Sequence, residues 1–338
     1  MFDTFTLPAQ PRLPGLFKSC ALALLLGACA LHAGNALAQT YPARPIQMVL
    51  SFPPGGATDI LARAIGQRMG TDLKQSLVIE NRPGAGGAIA LGQVVKAAPD
   101  GYTIHLMAVT NAAIAAATYA SQPANLAKDF EPVAAIGAVP HILVVPSTLP
   151  VQSVSELVAM LKASPGNYNF ASQGNGTLSH LESELFKLRA GVEVVHVPYK
   201  GSSFALPDLI AGRSAFMFDS IPASLPHVKT GKLRLLALAA DARIDSLPGT
   251  PTMEEAGVKD FRINNYFGFV APRGTPAAVT KALAASLQKV LGDPELVTSM
   301  KAQGVELKYA PAGELTRLIN DELALWAKVA KAANVKVE

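Results

Sequence analysis

The sequence predicts an α/β protein of two domains. Short apolar runs alternate with longer amphipathic stretches along most of the chain, a pattern typical of strands covered by helices. The chain has 338 residues, and at roughly 150 residues per domain this length indicates about two domains. Half of the residues are hydrophobic and 16% are charged. A chain with this much apolar material can bury a core, so an intrinsically disordered protein is excluded.

The first half of the chain begins with a β-α-β-α-β pattern. In chain order, the predicted elements are strand Ile46–Phe52, helix Thr58–Lys74, strand Ser76–Glu80, helix Ala88–Ala97 and strand Thr103–Val109. Pro99-Asp100-Gly101 supplies the turn before the third strand. This order predicts a parallel sheet with helices on both faces.

A second series of strands and helices follows. Its predicted strands are Ile142–Val145, Tyr168–Ser172, Val194–Val197, Ser214–Phe218, Leu233–Ala239 and Phe267–Ala271. Its predicted helices are Leu178–Arg189, Phe204–Ala211, Pro276–Leu291, Pro294–Gln303 and Gly313–Ala333. The capping-box sequence Ser153-Val-Ser-Glu156 predicts a helix that ends at Ala163, and Thr252-Met-Glu-Glu255 is a second capping box.

No Gly/Ser-rich linker separates the two series of elements. Two domains without a linker are expected to share crossover segments, which we place near Gly137–Val144 and Phe261–Phe269. The first domain is therefore expected to contain residues 41–141 and 262–338, and the second domain residues 142–261. A hinge at the two crossovers would let the domains close around a ligand.

The N-terminal segment, residues 1–38, is predicted to be a secretory signal peptide. Arg12 and Lys18 precede the apolar run Cys20–Leu31, which is shorter than the roughly 20 residues of a membrane span. Ala36-Leu37-Ala38 then supplies the small residues of a cleavage site. Cleavage after Ala38 would leave an exported mature protein.

Cys20 and Cys29, the two cysteines of the chain, both lie in this segment. The mature protein would therefore contain no thiol. A rival interpretation stays open, because Leu26-Gly27-Ala28-Cys29 resembles a bacterial lipobox. In that case Cys29 would be lipidated and would anchor the protein to a membrane.

The charge pattern and the absence of catalytic motifs narrow the function. Lys and Arg exceed Asp and Glu by only 29 to 25, without a long basic run, so a nucleic-acid-binding protein is not expected. The chain contains no G-x-S-x-G, H-E-x-x-H or G-x-x-x-x-G-K-[ST] motif. His180 and Glu184 are four residues apart, either as two metal ligands or as part of a polar helix face. An enzyme that uses His180 with Glu182 or Glu184 is kept as an alternative.

Two loops rich in small residues follow predicted strands, one in each half of the chain. They are Phe52-Pro-Pro-Gly-Gly-Ala-Thr-Asp59 and Ser172-Gln-Gly-Asn-Gly-Thr-Leu-Ser-His180. Open α/β sheets bind ligands at the carboxyl ends of their strands, where helix N-termini offer N–H groups to an anion. As a pair, the loops predict a carboxylate site between the domains. Taken singly, each could be a tight turn, with Asp59 or Thr177 capping the helix.

A series of short motifs spans the chain from Tyr41 to about Val335. In the first half they are Tyr41-Pro-Ala-Arg-Pro-Ile46, Phe52-Pro-Pro-Gly-Gly-Ala-Thr-Asp59, Glu80-Asn-Arg-Pro-Gly-Ala-Gly-Gly87 and Ala98-Pro-Asp-Gly-Tyr102. In the second half they are Ala171-Ser-Gln-Gly-Asn-Gly-Thr177, His196-Val-Pro-Tyr-Lys-Gly201, Met217-Phe-Asp219 and Ala256-Gly257. Together these motifs resemble the Bug proteins, the extracytoplasmic solute receptors of tripartite tricarboxylate transporters.

The resemblance implies a type II periplasmic-binding-protein fold, with two α/β domains around a ligand cleft. It implies a receptor in the periplasm that captures a small carboxylated metabolite (an organic acid or an amino acid) for a tripartite tricarboxylate-type transporter. Such a receptor is not an enzyme, and we expect it to have no cofactor or metal. Its partners would be that ligand and the membrane permease subunits, and we expect a monomer. In such receptors, backbone groups and ordered waters hold the carboxylate. A sensory receptor of the same fold, without a dedicated permease, is an alternative.

Carried over onto this sequence, the resemblance implies ligand-binding residues in loops of both domains. The candidates of the first domain are Phe52, Pro54, Gly55, Gly56, Asp59, Thr110 and Asn111. The candidates of the second domain are Ser172, Gly174, Asn175, Thr177, His180, Tyr199, Gly201 and Asp219, with Lys200 beside them. The sequence departs from the family pattern at Thr110–Ala113, Gln173 and Ser203-Phe204, three places that could set the shape of the ligand.

Overall fold

The computed structural model of the protein describes residues 41–332 and 335–337. The expected signal peptide and the lipobox lie outside these residues. The strands are β1 (Ile46–Leu50), β2 (Leu77–Asn81), β3 (Thr103–Ala108), β4 (Phe130–Ala138), β5 (His141–Pro146), β6 (Asn169–Ser172), β7 (Val195–Pro198), β8 (Phe216–Ser220), β9 (Leu233–Ala239), β10 (Tyr266–Pro272) and β11 (Glu306–Pro311). The α-helices are α1 (Ala57–Leu73), α2 (Ala88–Val95), α3 (Val109–Thr118), α4 (Val154–Ala163), α5 (Leu178–Ala190), α6 (Ser202–Ile210), α7 (Ile221–Lys229), α8 (Ala277–Leu291), α9 (Pro294–Lys301) and α10 (Ala312–Ala332).

The first sheet has six strands in the order β11-β4-β10-β3-β1-β2. Strand β1 is parallel to both β2 and β3, as the sequence predicts. Strand β10 is antiparallel to β3 and β4, and β11 is antiparallel to β4. The sheet as a whole is therefore mixed, because β10 enters it from the second half of the chain and in the opposite direction.

The second sheet has five strands in the order β7-β6-β8-β5-β9. Strand β6 is parallel to β7 and β8, whereas β5 is antiparallel to β8 and β9. Phe170 of β6 and Phe216 of β8 form a buried aromatic cluster with Phe186 of α5, which covers this sheet. The ring centroids of Phe186 and Phe216 are 5.3 Å apart, a spacing at which aromatic pairs stabilise a core. This core fixes the ends of β6 and β8, from which the loops that follow these strands start.

The chain passes between the two sheets twice. It leaves the first sheet between Ala138 and His141, and it returns between Ala239 and Tyr266. Both passages overlap the crossover segments predicted from the sequence. The domain boundaries at residues 141/142 and 261/262 stay a prediction; His141 is the first residue of β5.

Helix boundaries follow local capping chemistry. Ser153 caps α4 by accepting a hydrogen bond from the N–H of Glu156, as predicted. The box at Thr252 and Glu255 forms both of its reciprocal hydrogen bonds, but it is followed by a turn instead of a helix. Among the helices of residues 41–332, none combines the length and apolar character that a membrane span requires.

Candidate functional site

Two cavities lie side by side where loops of the first sheet meet loops of the second. The small cavity, of about 20 Å³, is lined by Phe52, Pro53, Gly56, Ala57, Thr58, Asn111, His141, Gln173, Gly201, Ser202, Ser220, Asn265 and Phe267. The large cavity, of about 250 Å³, is lined by Ser51, Phe52, Pro83, Gly84, Ala85, Gly86, Gly87, Tyr119, Gln173, Gly174, Asn175, Thr177, Pro198, Tyr199 and Lys200. Phe52 and Gln173 line both cavities and form the wall between them. We call the two cavities together the cleft.

Three helices begin at the small cavity. The residues before their first turns are Gly56 for α1, Gly201 for α6 and Ser220 for α7, and none of the three caps its helix with a side-chain hydrogen bond. The first N–H groups of a helix have no partner within the helix, and the helix dipole adds a partial positive charge there. The small cavity is therefore suited to an anion.

Ser220 adds a hydroxyl group to this cavity. Its side chain is buried, and its Oγ has no hydrogen-bond partner among the described residues. A buried polar group without a partner is uncommon in folded proteins. Because Ser220 lines the small cavity, its hydroxyl is placed to hydrogen-bond a group that enters the cavity.

Asp59 fastens the loop that follows β1. Its carboxylate accepts hydrogen bonds from the backbone N–H of Gly55 (3.1 Å), from Arg63 Nε (2.9 Å) and from Asn81 Nδ2 (3.1 Å). Asn81 Nδ2 also donates to the carbonyl of Phe52 (2.9 Å). Burial alone would raise the pKa of Asp59, but these hydrogen bonds and the charge of Arg63 outweigh it and hold the pKa below its ordinary value. Asp59 therefore positions the loop and does not line the cleft.

The loop after β6 is fastened by neutral groups. Ser172 Oγ accepts from the N–H of Gly174 (3.1 Å), and Thr177 Oγ1 donates to the carbonyl of Gly174 (2.7 Å). Gly174 has φ +134°, and a Cβ at this position would lie 2.9 Å from the carbonyl oxygen of Tyr199. Only glycine fits this backbone conformation and this close approach without strain.

His180 lies beneath this loop, outside both cavities. Its Nδ1 accepts a hydrogen bond from the N–H of Gly176 (3.3 Å). Its ring stacks on His196 with centroids 4.0 Å apart, and His196 stacks on Phe170 at 4.7 Å. Burial lowers the pKa of both histidines, that of His196 to about 3, so the stacked pair is neutral at pH 7. Ser172 Oγ and His196 Nε2 hydrogen-bond at 2.6 Å and connect the stack to the loop.

No metal centre follows from the spacing of His180 and Glu184. The two side chains form a contact of 3.9 Å. Within the described part of the chain, no group of three or more His, Cys, Asp or Glu side chains is arranged to hold a metal ion. Glu184 instead accepts a hydrogen bond from Lys187 (2.8 Å), while the His180 ring stacks on His196.

Asp219 is completely buried and joins three side chains behind the cleft. Its Oδ1 accepts from Gln173 Nε2 (2.7 Å) and from Ser202 Oγ (2.6 Å), and its Oδ2 accepts from Ser224 Oγ (2.6 Å). Asp219 therefore holds two lining side chains, those of Gln173 and Ser202, in fixed positions. It does not line the cleft itself.

A buried histidine–glutamate pair lies at the passage between the sheets. His141 Nδ1 is 2.7 Å from Glu182 Oε2, and both side chains are buried. Burial alone would lower the pKa of His141, but the negative charge of Glu182 outweighs it and raises the pKa. Asn265 Nδ2 lies 3.3 Å from His141 Nε2, and Asn111 Nδ2 donates to Asn265 Oδ1 (3.4 Å). This network connects both passages to the small cavity.

The structure brings most of the predicted site residues into the cleft and leaves others behind it. The predicted residues that line a cavity are Phe52, Gly56, Asn111, Gly174, Asn175, Thr177, Tyr199 and Gly201. The predicted residues that line neither cavity are Pro54, Gly55, Asp59, Thr110, Ser172, His180 and Asp219. Thr110, for example, hydrogen-bonds the backbone of Asn264 and Tyr266 and so fastens the second passage.

Sequence reasoning missed several lining residues. Ser202 and Ser220 were detectable, since each stands where a strand or loop ends and a helix begins. The sequence around His141 and Asn265 contains no motif that predicts a binding site. They reach the small cavity because the two passages between the sheets lie next to it.

The protein has two β-sheets with helices packed on them, joined by two chain passages, and a cleft at helix N-termini between them. This is the architecture of a solute-binding protein. The chain belongs to the tripartite tricarboxylate transporter family receptors, since the model of that family matches residues 61–335. Members of this family are receptors and not enzymes, which sets the enzyme alternative aside.

Relatives of known structure or name agree with this family. The protein BugT of Bordetella pertussis (strain Tohama I) is 37% identical over 303 residues, 89% of this chain and 93% of BugT. A protein of R. palustris solved with adipate has a TM-score of 0.82 at 36% identity, over 88% of this chain and 99% of its own. MatC from Rhodopseudomonas palustris, solved with bound malate, has a TM-score of 0.79 at 32% identity, over 86% of this chain and 99% of its own. The resemblance to the Bug proteins and the fold that it implies are confirmed.

Proposed function

We propose that this protein is a periplasmic receptor that binds a small organic acid by its carboxylate and passes it to the permease subunits of a tripartite transporter. Membership of the receptor family supports the transport role, and the relatives solved with adipate and malate support a carboxylated ligand. The observation that carries the proposal for this chain is the convergence of three helix N-termini, those of α1, α6 and α7, at the small cavity.

The carboxylate is held by these N-termini rather than by a salt bridge. One helix N-terminus stabilises an anion by roughly 0.3–2 kcal/mol, so several must act together. Among the described residues, the basic side chains that line the cleft are Lys200, which is exposed, and His141, whose Nδ1 contacts Glu182. A solvated lysine and a histidine that is already paired are poor primary anchors.

Ligand entry requires the cleft to open, after which the two domains close on the bound acid. A cavity of about 20 Å³ holds about one water molecule, too little for the carboxylate of an organic acid. The large cavity, at about 250 Å³, has room for the rest of a small acid. Residues 41–141 with 262–338 form one domain and residues 142–261 the other, and the domains rotate at the two passages between the sheets. Small-angle scattering should show compaction when the ligand is added.

Export and assembly follow from the same proposal. The signal peptide is cleaved after Ala38, the mature protein stays soluble in the periplasm as a monomer, and it docks on membrane permease subunits. Mass spectrometry of the mature N-terminus tests the first step. A lipidated Cys29 would instead make the protein a membrane-anchored lipoprotein.

Thermal unfolding in the presence of organic acids tests the binding function. A ligand at 100 times its Kd raises the free energy of unfolding by about 2.7 kcal/mol. We expect such an increase with at least one of succinate, malate, adipate and aspartate, and none with succinamide, which lacks both carboxylates. The acid should be recovered unchanged. Equal effects of succinate and succinamide would contradict a carboxylate site.

A further inference from the structure

The side chain of Gln173 has a fixed orientation in the wall between the two cavities. Its Nε2 lies 2.7 Å from Asp219 Oδ1 and 3.1 Å from Ser202 Oγ. A carboxylate oxygen accepts hydrogen bonds, so the amide nitrogen, and not the amide oxygen, must face Asp219. Asp219 is completely buried, and its Oδ1 fixes the orientation of the amide, while Ser224 hydrogen-bonds the other oxygen, Oδ2.

Both hydrogens of the Gln173 amide are occupied by these two contacts. Ser202 Oγ donates its own hydrogen to Asp219 Oδ1 (2.6 Å), so it accepts the second hydrogen of Gln173 Nε2. Neither Gln173 nor Ser202 therefore has a side-chain donor left for a ligand. What remains is Oε1 of Gln173, which accepts no hydrogen bond from the described residues. Since Gln173 lines both cavities, this acceptor belongs to the cleft.

An acceptor at this place does not suit a carboxylate, because both groups present lone pairs. It suits a hydroxyl or an ammonium group. If the proposed function is right and the carboxylate lies at the helix N-termini of the small cavity, Gln173 stands beside the atoms that follow the carboxylate toward the large cavity. Those atoms are the carbon next to the carboxylate and its substituents.

We propose that Gln173 makes this receptor selective for 2-hydroxy or 2-amino acids over the corresponding unsubstituted acids. The inference rests on the proposed function and names the ligand class within it. A site that offers an acceptor to a ligand donor discriminates against an analogue that lacks the donor, because the acceptor is then left without a partner. The expected ligand therefore resembles malate or aspartate in its chemistry more than succinate or adipate.

Calorimetric titration with matched acids tests the proposal. Malate and aspartate each differ from succinate by one donor group at carbon 2. We expect the wild-type protein to bind malate or aspartate at least ten times more tightly than succinate. Succinate binding that is as tight as the tighter of the two would overturn the selectivity but would leave the carboxylate site intact. Failure of all three acids and adipate to bind would instead count against the proposed function.

The variant Gln173→Leu removes the acceptor and keeps a side chain of similar length. We expect its preference for the substituted acid over succinate to fall to within about twofold, through weaker binding of the substituted acid. Ser224→Ala is the matched control, since it removes a hydrogen bond from Asp219 but leaves Gln173 Oε1 in place; its preference should stay at the wild-type ratio. An unchanged ratio in Gln173→Leu would refute the role of Gln173. If Gln173→Leu does not fold, the ratio measured on the wild-type protein alone decides.

Discussion

The loop after β1 and the loop after β6 both contribute to the cleft, but different chemistry holds each of them. Asp59, Arg63 and Asn81 fasten the first loop with charge-assisted hydrogen bonds. The stacked rings of His180 and His196, together with Ser172 and Thr177, support the second loop with neutral groups. Hydrogen bonds to ionised groups are roughly twice as strong as neutral ones.

Because the two loops are held by different chemistry, we expect acid to loosen the two sides of the cleft one after the other. The pKa of Asp59 lies below its ordinary value of 3.8, so its contribution to stability is complete above about pH 3.8 and is lost as the pH falls through the folded pKa. Burial lowers the pKa of His196 in the folded protein to about 3, from its ordinary value of 6.5. The unfolded chain therefore takes up a proton below pH 6.5 that the folded chain excludes, and the second loop weakens first.

The largest effect is expected from Gly174→Val in the second loop. Its Cβ would meet the Tyr199 carbonyl at 2.9 Å and its φ of +134° is strained for valine. Ligand affinity should fall by more than about 100-fold, or ~2.8 kcal/mol, in calorimetric titration. Gly191→Val is the control, because Gly191 has φ +62° but open space around a Cβ; it should cost stability and keep ligand affinity. A Gly174→Val protein that binds normally would contradict the close approach in this loop.

The hydrogen bonds to the Asp59 carboxylate should add about 2 kcal/mol to the free energy of unfolding, in the range found for hydrogen bonds to charged groups. Asp59→Asn removes the negative charge and keeps the shape, and urea unfolding at pH 7 should show this loss. The variant and the wild type should converge in stability as the pH falls below about 3.8, since protonation then removes the same charge. Asp245→Asn is the control; its ion pair with Lys301 is exposed, so its stability should stay close to that of the wild type. An equal loss in both variants would mean that burial of Asp59 adds nothing.

The neutral His196 under the second loop should make the free energy of unfolding fall as the pH is lowered from about 6.5 to about 3. Where the unfolded chain binds one proton that the folded chain excludes, the slope is about 1.4 kcal/mol per pH unit. The partial exposure of His196 narrows this pH window and does not change the slope inside it. His196→Phe keeps a ring in the stack and removes the titrating group. Urea unfolding over this pH range should show a shallower slope for His196→Phe than for the wild type. His227→Phe, outside the stack, should keep the wild-type slope, and a flat wild-type profile would refute the neutral pair.

The smallest effect is expected at Lys200, on the rim of the large cavity. Lys200→Ala should weaken ligand binding by less than tenfold, or about 1.4 kcal/mol, because its ammonium group is solvated. Calorimetry at low and high salt checks this, with Lys232→Ala as a control for overall charge. If Lys200→Ala abolishes binding while Gly174→Val is tolerated, the carboxylate is held by charge pairing and the helix N-termini are not its main anchor.

Sequence periodicity predicted the helices and strands that bury one face. It did not predict the elements that are buried along their whole length. Helices α8 and α9 were predicted closely, because α8 has apolar residues at helical spacing and Asp293 caps α9 just before Pro294. Helix α3 was missed, since residues Val109 to Ala115 are all buried and show no helical period. Strand β4 was missed for a similar reason: its run 133–136 is buried without a break between β10 and β11 and shows no alternation.

The local chemistry of the chain was enough for the α/β class, the crossover segments and the two loops of the cleft, because glycine spacing, caps and apolar runs act over a few residues. The partners of the site residues depend on contacts across the fold. Gln173 and Asp219 are 46 residues apart in the chain, and His141 and Glu182 are 41 apart. Such pairs form when β6, β8 and α5 pack together, and a buried polar group then takes whichever partner the packing brings within reach. For this reason His180 and Asp59, which looked like ligand residues, support the loops of the cleft, while Gln173 and Ser220 line it.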